Sequence, residues 1–146
     1  MKTIRLILLL ASLAGLCAAA RADSASIRGI LISASNESGQ TDRRLAQFEP
    51  TLRRILRFES YRFLGDDSTS LEVPAQGSLS IGDGHELEVS TEKSDGKSIH
   101  VKVRWSSGGR TLMNTGLVLR PGVPAVLGGP STGNKGEVYA VILIGR

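Results

Sequence analysis

Residues 85–105, HELEVSTEKSDGKSIHVKVRW, alternate apolar and polar side chains on both sides of an Asp-Gly pair. This period of two predicts a β-hairpin whose strands each bury one face. The two apolar rows must face the same core, because a slip of one residue would expose an entire row to water. The hairpin therefore requires a sheet packed on one side. The predicted rows are Leu87, Val89 and Thr91, and Ile99, Val101, Val103 and Trp105.

The register of this hairpin follows from its turn. A three-residue loop, Ser94-Asp95-Gly96, with Gly96 in the left-handed region would keep both rows on one face. It would place Val89 opposite Val101 and Leu87 opposite Val103 in the core. It would also pair opposite charges outside, and these pairs are Glu88 with Lys102 and Glu86 with Arg104.

Further β-branched or apolar runs, separated by turn residues, predict more short strands. The runs are SIRGILISAS, YRFLG, TSLEVP, GSLSIG, RTLMNTGLVL, AVL and VYAVILI. The last run is apolar on both faces, which predicts a central strand that is covered on both sides.

Residues 42–57 carry the one helical period, with apolar side chains spaced by three and four. This stripe comprises Leu45, Phe48, Leu52, Ile55 and Leu56. We expect Thr41 to cap the helix, and Pro50 to kink it or split it in two. The predicted fold is mainly β: an antiparallel β-sandwich or open barrel of about seven or eight short strands, with one N-terminal amphipathic helix.

The first 22 residues have the layout of a secretory signal peptide. Two basic residues precede a 12-residue apolar run, and small residues follow it. We expect cleavage after Ala22, which leaves a single domain over residues 23–146. A retained membrane anchor is the alternative, but the apolar run is short for a span. Cys17 is the only cysteine, and the bulky Leu16 before it argues against a lipoprotein. We therefore expect a soluble periplasmic or extracellular protein.

Cleavage would change the charge of the chain. The basic residues would fall from 18 to 15 while all 14 acidic residues remain, giving a net charge of about +1. Nucleic-acid binding requires a sustained basic excess, so no nucleic-acid partner is expected.

The segment GGPSTGNKGE partly matches two active-site motifs. A phosphate-binding loop would need Lys directly after Gly133, but Lys135 comes one place late and a strand pattern follows. A nucleophile elbow at Ser131 would need a later histidine, and none follows. A flexible connection between strands is the prediction.

The two histidines lack metal-ligand spacing, so no metal or cofactor is expected. His100 should lie on the outer face of its strand, and Asp66-Asp67 should form a solvated turn. Asp83 and Glu86 near His85 leave a hydrolase as a minor alternative.

The helical segment is rich in arginine. Six arginines, including Arg62, face three acidic residues, which gives about +3 locally. These arginines could simply be a solvated helix face. The functional hypothesis is a docking surface for an envelope protein or an anionic partner, with a small anionic ligand as the alternative. The candidate residues are Arg43, Arg44, Arg53, Arg54 and Arg57.

The segments TDRRLAQFEPTLRRILRFESYRFL and VRWSSGGRTLMNTGLVLRPGVPAVLGGP, followed by an apolar final strand, resemble small uncharacterised exported proteins of Gram-negative bacteria. The resemblance covers most of the predicted mature chain. It implies export and a one-domain fold, and it implies no catalytic residue.

Overall fold

Two four-stranded antiparallel sheets form the fold in the computed structural model, which describes residues 24–146. The strands are β1 (Ser24–Ser35), β2 (Ser60–Glu72), β3 (Ala75–Gly82), β4 (His85–Ser94), β5 (Ile99–Ser107), β6 (Arg110–Leu119), β7 (Ala125–Ser131) and β8 (Glu137–Gly145). Their order is β2-β1-β8-β7 in the first sheet and β3-β4-β5-β6 in the second. The mainly β, open antiparallel fold is confirmed, and the predicted signal peptide lies outside the described residues.

The first sheet is the middle layer of three. Its two central strands, β1 and β8, are apolar on both faces, as the final run of the sequence predicted. One face packs on the second sheet, where Val141 and Leu143 of β8 join a core around Trp105. The opposite face, with Ala140 and Ile142, packs against the helical segment. The β8 strand therefore connects two separate hydrophobic cores.

The β4–β5 hairpin has the predicted faces but a different register. Both apolar rows are buried, yet Val89 pairs with Val103 and Leu87 with Trp105. The prediction was off by two residues because the turn is longer than expected. Residues 95–98 form the loop, and Asp95 accepts hydrogen bonds from the backbone N–H groups of the two residues that end it. A bulge next to the turn then absorbs the odd residue.

The β2 strand continues through a segment predicted to be a turn. Asp66 and Asp67 lie within it, so the expected solvated turn and the division into two strands were wrong. Arg28 on β1 donates two hydrogen bonds to Asp66, at 3.0 and 2.8 Å. An irregularity at residues 63–65 shifts the pairing with β1, and Gly65 lies against the backbone of Ile81 on β3.

The predicted helix over residues 42–57 is split into two pieces. A 3₁₀ helix covers Arg43–Leu45, and an α-helix, α1, covers Glu49–Leu56. Pro50 lies in the first turn of α1, where its missing N–H is tolerated, so it starts the second helix and does not kink a longer one. We call residues 42–57 the helical layer.

Asp42 caps the helical layer, and Thr41 does not. The Asp42 carboxylate accepts a hydrogen bond from the backbone N–H of Arg44 at 3.0 Å. The hydroxyl of Thr41 is instead buried without a hydrogen-bond partner among the described residues. The predicted cap was therefore one residue too early.

Candidate functional site

Three apolar side chains hold the helical layer against the first sheet. Leu45, Phe48 and Leu52 are buried, as the predicted stripe required. Ile55 departs from the stripe and is 48% exposed. The next residue, Leu56, is partly buried and packs against this core instead. The arginines of this layer thus share the surface with one exposed apolar side chain.

Two of the five candidate arginines are held by neighbouring groups. Arg44 forms a two-point ion pair with Asp42, and its guanidinium lies 4.2 Å from the centre of the Phe63 ring. The hydrogen bonds from Arg44 lower the pKa of Asp42 to about 2. Arg53 pairs with Glu49 one turn earlier, at 2.9 Å, and also donates to a backbone carbonyl. Both guanidinium groups already have partners within the layer.

The other three candidates, Arg43, Arg54 and Arg57, are exposed and form no ion pair among residues 24–146. Arg57 ends α1 in the left-handed region, with φ of 57°. This conformation favours glycine and costs other L-residues roughly 1–2 kcal/mol. Arg57 therefore occupies a position where local conformation alone would select a different residue.

The glycine-rich segment forms the end of β7 and a loop. No helix follows Lys135, since β8 begins at Glu137, and this arrangement lacks the helix N-terminus that a phosphate loop needs. The Ser131 hydroxyl accepts a hydrogen bond from the N–H of Gly133, as in an ordinary turn. Gly129 has a packing role that the sequence pattern does not reveal. A Cβ atom placed there would lie 2.2 Å from Cη2 of Trp105.

Four side chains, three aromatic and one acidic, contact one another in a row at one end of the sandwich. Trp105 donates its indole N–H to Nδ1 of His85 at 2.9 Å. The His85 ring packs on Tyr139, with ring centres 4.5 Å apart. The Tyr139 hydroxyl donates to the carboxylate of Asp83 at 3.1 Å. These residues come from β5, β4, β8 and the β3–β4 turn, so the fold assembles them from four separate segments.

The Trp105 bond determines what His85 can do. An indole nitrogen only donates, so the His85 Nδ1 must accept and the proton of the neutral ring lies on Nε2. Burial lowers the pKa of His85, and nearby Asp83 partly opposes this effect. His85 is therefore a neutral ring that presents a donor. A general base would need a lone pair at the free nitrogen, which this arrangement does not offer.

The three residues of the hydrolase hypothesis do not meet. Asp83 and His85 line one pocket, whereas Glu86 is exposed on the outer face of β4. His100 lies half-buried on the outer side of β5, in the orientation that the strand period predicted. Within the described part of the chain, no cluster of three or more His, Cys, Asp or Glu side chains could hold a metal ion.

Sequence reasoning singled out His85 but missed Trp105 and Tyr139 as its partners. The available signals were the turn IGDGH, which predicts a sharp reversal, and the inward parity of Trp105. Neither signal gives the distance between β4 and β8, which belong to different sheets.

Among residues 24–146, no helix combines the length and apolar character that a membrane-crossing helix requires. Comparisons of the chain with protein-family models, with curated proteins and with solved structures found no match.

Proposed function

We propose that this chain is an exported, non-enzymatic module that docks an acidic surface of a partner protein through its helical layer. The observation that carries the proposal is the exposed side chain of Ile55 in a layer that also exposes Arg43, Arg54 and Arg57, which have no ion pair among the described residues. Protein interfaces are enriched in arginine and often centre on an apolar anchor. The arginines would supply charge complementarity around that anchor.

The composition of the layer favours a protein partner over an anionic polymer or a lipid surface. All its basic residues are arginines, which are enriched at protein interfaces, whereas lysine is depleted there. Arg57 adds a second argument, because it is kept in a conformation that glycine would adopt without strain. Unfavourable backbone conformations that persist are often found at functional positions.

Photo-crosslinking tests the proposal in cells that express the full chain. A benzophenone amino acid would replace Ile55, and the matched control would replace Val118 on β6, which is 50% exposed. We expect an acidic protein to crosslink at residue 55 and not at residue 118. Equal crosslinking at both positions would show that exposure alone explains the signal.

Charge reversal provides a second test of the docking surface. Arg54→Glu with Arg57→Glu should abolish the crosslink, whereas Lys93→Glu with Lys97→Glu should preserve it. The control pair changes net charge equally, and both lysines are exposed without an ion pair in the described region. If both double variants lose the crosslink alike, net charge is responsible and the helical layer is not the docking surface.

Arg57→Gly separates binding from folding. Glycine should relieve the left-handed strain, so the free energy of unfolding should stay constant or rise by up to about 1 kcal/mol. The crosslink at residue 55 should nevertheless weaken. A less stable Arg57→Gly protein with an unchanged crosslink would mean that Arg57 serves packing.

A further inference from the structure

A pocket of about 420 Å³ opens at the end of the sandwich where the β3–β4 turn meets β6, β7 and β8. We call it the turn pocket. Its volume lies in the range of small-molecule sites. The lining residues that carry the argument are Asp83, His85, Arg110, Leu112, Pro130 and Tyr139.

A donor that has no protein partner among the described residues lies at this pocket. His85 is only 3% exposed, and its Nδ1 is occupied by Trp105. Its Nε2–H has no acceptor within hydrogen-bond distance among residues 24–146. The described residues leave this donor unpaired without burying it completely, so it remains free to donate to an acceptor on a ligand in the pocket.

Two opposite charges line the same pocket without meeting. Arg110 and Asp83 form no salt bridge with each other, or with any other side chain of the described region. The side-chain hydrogen bond of Asp83 comes from the Tyr139 hydroxyl, which occupies one carboxylate oxygen. The other oxygen remains able to accept. The pocket thus offers a cation and an anion at separate places in its wall.

The β3–β4 turn holds Asp83 in place at a conformational cost. Three successive residues, Gly82, Asp83 and Gly84, have positive φ angles, and the middle one is not glycine. Such a backbone persists where the surrounding structure fixes it. Here the bond from Tyr139 fixes the carboxylate, while Leu112 and Pro130 supply the apolar part of the wall.

We propose that the turn pocket binds a small zwitterion, a molecule that carries both a carboxylate and an ammonium group, as free amino acids do. Arg110 and the Nε2–H of His85 bind the carboxylate, since guanidinium groups match carboxylate geometry. Asp83 binds the ammonium group. The apolar body of the ligand packs on Leu112 and Pro130. This site is separate from the helical layer, and it does not depend on the docking proposal.

The chain carries its own reporter for this site. Trp105 is the only tryptophan, so its indole N–H gives a single resonance in a proton–nitrogen NMR spectrum. Because this N–H is bonded to His85, a ligand that takes the Nε2–H should shift the resonance. The full chain would be titrated with each of the common amino acids up to about 10 mM, which would saturate a site of millimolar affinity. We expect at least one amino acid to give a saturable shift.

Monofunctional analogues test whether both charges matter. For phenylalanine these are phenylethylamine, which lacks the carboxylate, and 3-phenylpropionate, which lacks the ammonium group. Each should bind at least tenfold more weakly than the corresponding amino acid. An analogue that binds as tightly as its amino acid would overturn the zwitterion proposal, and so would the absence of any saturable shift.

Two variants test whether the ligand binds in the turn pocket. Arg110→Gln and Asp83→Asn should each raise the dissociation constant at least tenfold. Both residues are exposed, and Asn tolerates the positive φ of residue 83, so the fold should persist. The control is Arg104→Gln, on the outer face of β5. Unchanged affinity in either pocket variant, or an equal loss in the control, would refute the assignment.

Discussion

Gly129 offers the sharpest test of the packing that supports the turn pocket. In Gly129→Ala the new methyl group would lie 2.2 Å from Cη2 and 2.6 Å from Cζ3 of Trp105. The backbone oxygen of Tyr139 would be 2.9 Å away, so the methyl group cannot move aside freely. Trp105 is fully buried and its indole N–H is held by His85, so the ring cannot turn without losing that bond.

The magnitude follows from this rigidity. Inserting a methyl group into a well-packed core destabilises by about 1–3 kcal/mol, and occasionally more. Contacts this short with a fixed ring place Gly129→Ala at the upper end, at about 2–3 kcal/mol. For a domain of this size the loss should lower the Tm by roughly 6–12 °C. A domain with a typical stability of about 5–15 kcal/mol would survive the change.

Gly128 is the matched control, because it is the neighbouring residue on the same strand. A Cβ atom there would meet only Cδ2 of Leu56, at an ordinary 3.6 Å. Gly128→Ala should therefore be neutral, or stabilising by up to about 1 kcal/mol through lower backbone entropy in the unfolded chain. Urea unfolding followed by Trp105 fluorescence measures both variants. A Gly129→Ala protein no less stable than Gly128→Ala would refute the reasoning.

Two further predictions concern buried polar groups. Thr41→Val should raise the free energy of unfolding by roughly 1 kcal/mol in urea denaturation, since it removes a hydroxyl that lacks a partner. Thr41→Ser keeps the hydroxyl and should not raise the free energy of unfolding. If it does, the unpaired hydroxyl is not the cause. Burial lowers the pKa of His85, so as pH falls below 6.5 the unfolded chain binds a proton first and stability is lost. Thermal unfolding between pH 7.5 and 5.5 should show this decline in stability, and His85→Asn should remove it. If the decline persists in the variant, another titratable group is responsible.

The local sequence pattern was sufficient to predict which face of each strand is buried. The alternation in residues 85–105 correctly placed Val89 and Val103 in the core, and the two-sided apolar run correctly made β8 central. Burial decides which face a residue takes, and burial is encoded in the period of the sequence. The hairpin register was missed because it depends on the hydrogen bonds of Asp95 within the turn, which periodicity does not encode.

The helical segment shows a second limit. The stripe predicted Leu45, Phe48 and Leu52 correctly, but it also included Ile55, which is exposed. An apolar period reports which face of a helix turns inward, but it does not show which position at the end of a short helix stays exposed. The ion pairs of Arg44 and Arg53 were also not predicted, although both arginines remain exposed. Arg44 pairs with Asp42 where the layer begins, and Arg53 pairs with Glu49 at a spacing of four that a continuous helix would also allow.

The complete group of residues around His85 could not be predicted from local pattern, because two of its members, Trp105 and Tyr139, lie far from it in the chain. Trp105 is 20 residues from His85, and Tyr139 comes from the other sheet. The bond between Tyr139 and Asp83 spans 56 residues. In its own strand or turn, each of these side chains has an ordinary structural explanation. The candidate site exists only because the fold brings them together. The same is true of Gly129, which looks like a loop glycine until Trp105 is placed beside it.

A double-mutant cycle measures whether Gly129 and Trp105 are truly coupled. Trp105→Phe removes the outer edge of the indole, which carries the two atoms that a Cβ at residue 129 would meet. Gly129→Ala should then destabilise the Phe background by less than about 1 kcal/mol, which gives a coupling energy of roughly 1–2 kcal/mol. Far-UV circular dichroism must follow all four proteins, because Trp105→Phe removes the fluorescent reporter. If Gly129→Ala is equally destabilising in both backgrounds, the glycine is required by the backbone of β7 and not by the indole. The position of Trp105 beneath His85 would then need another explanation.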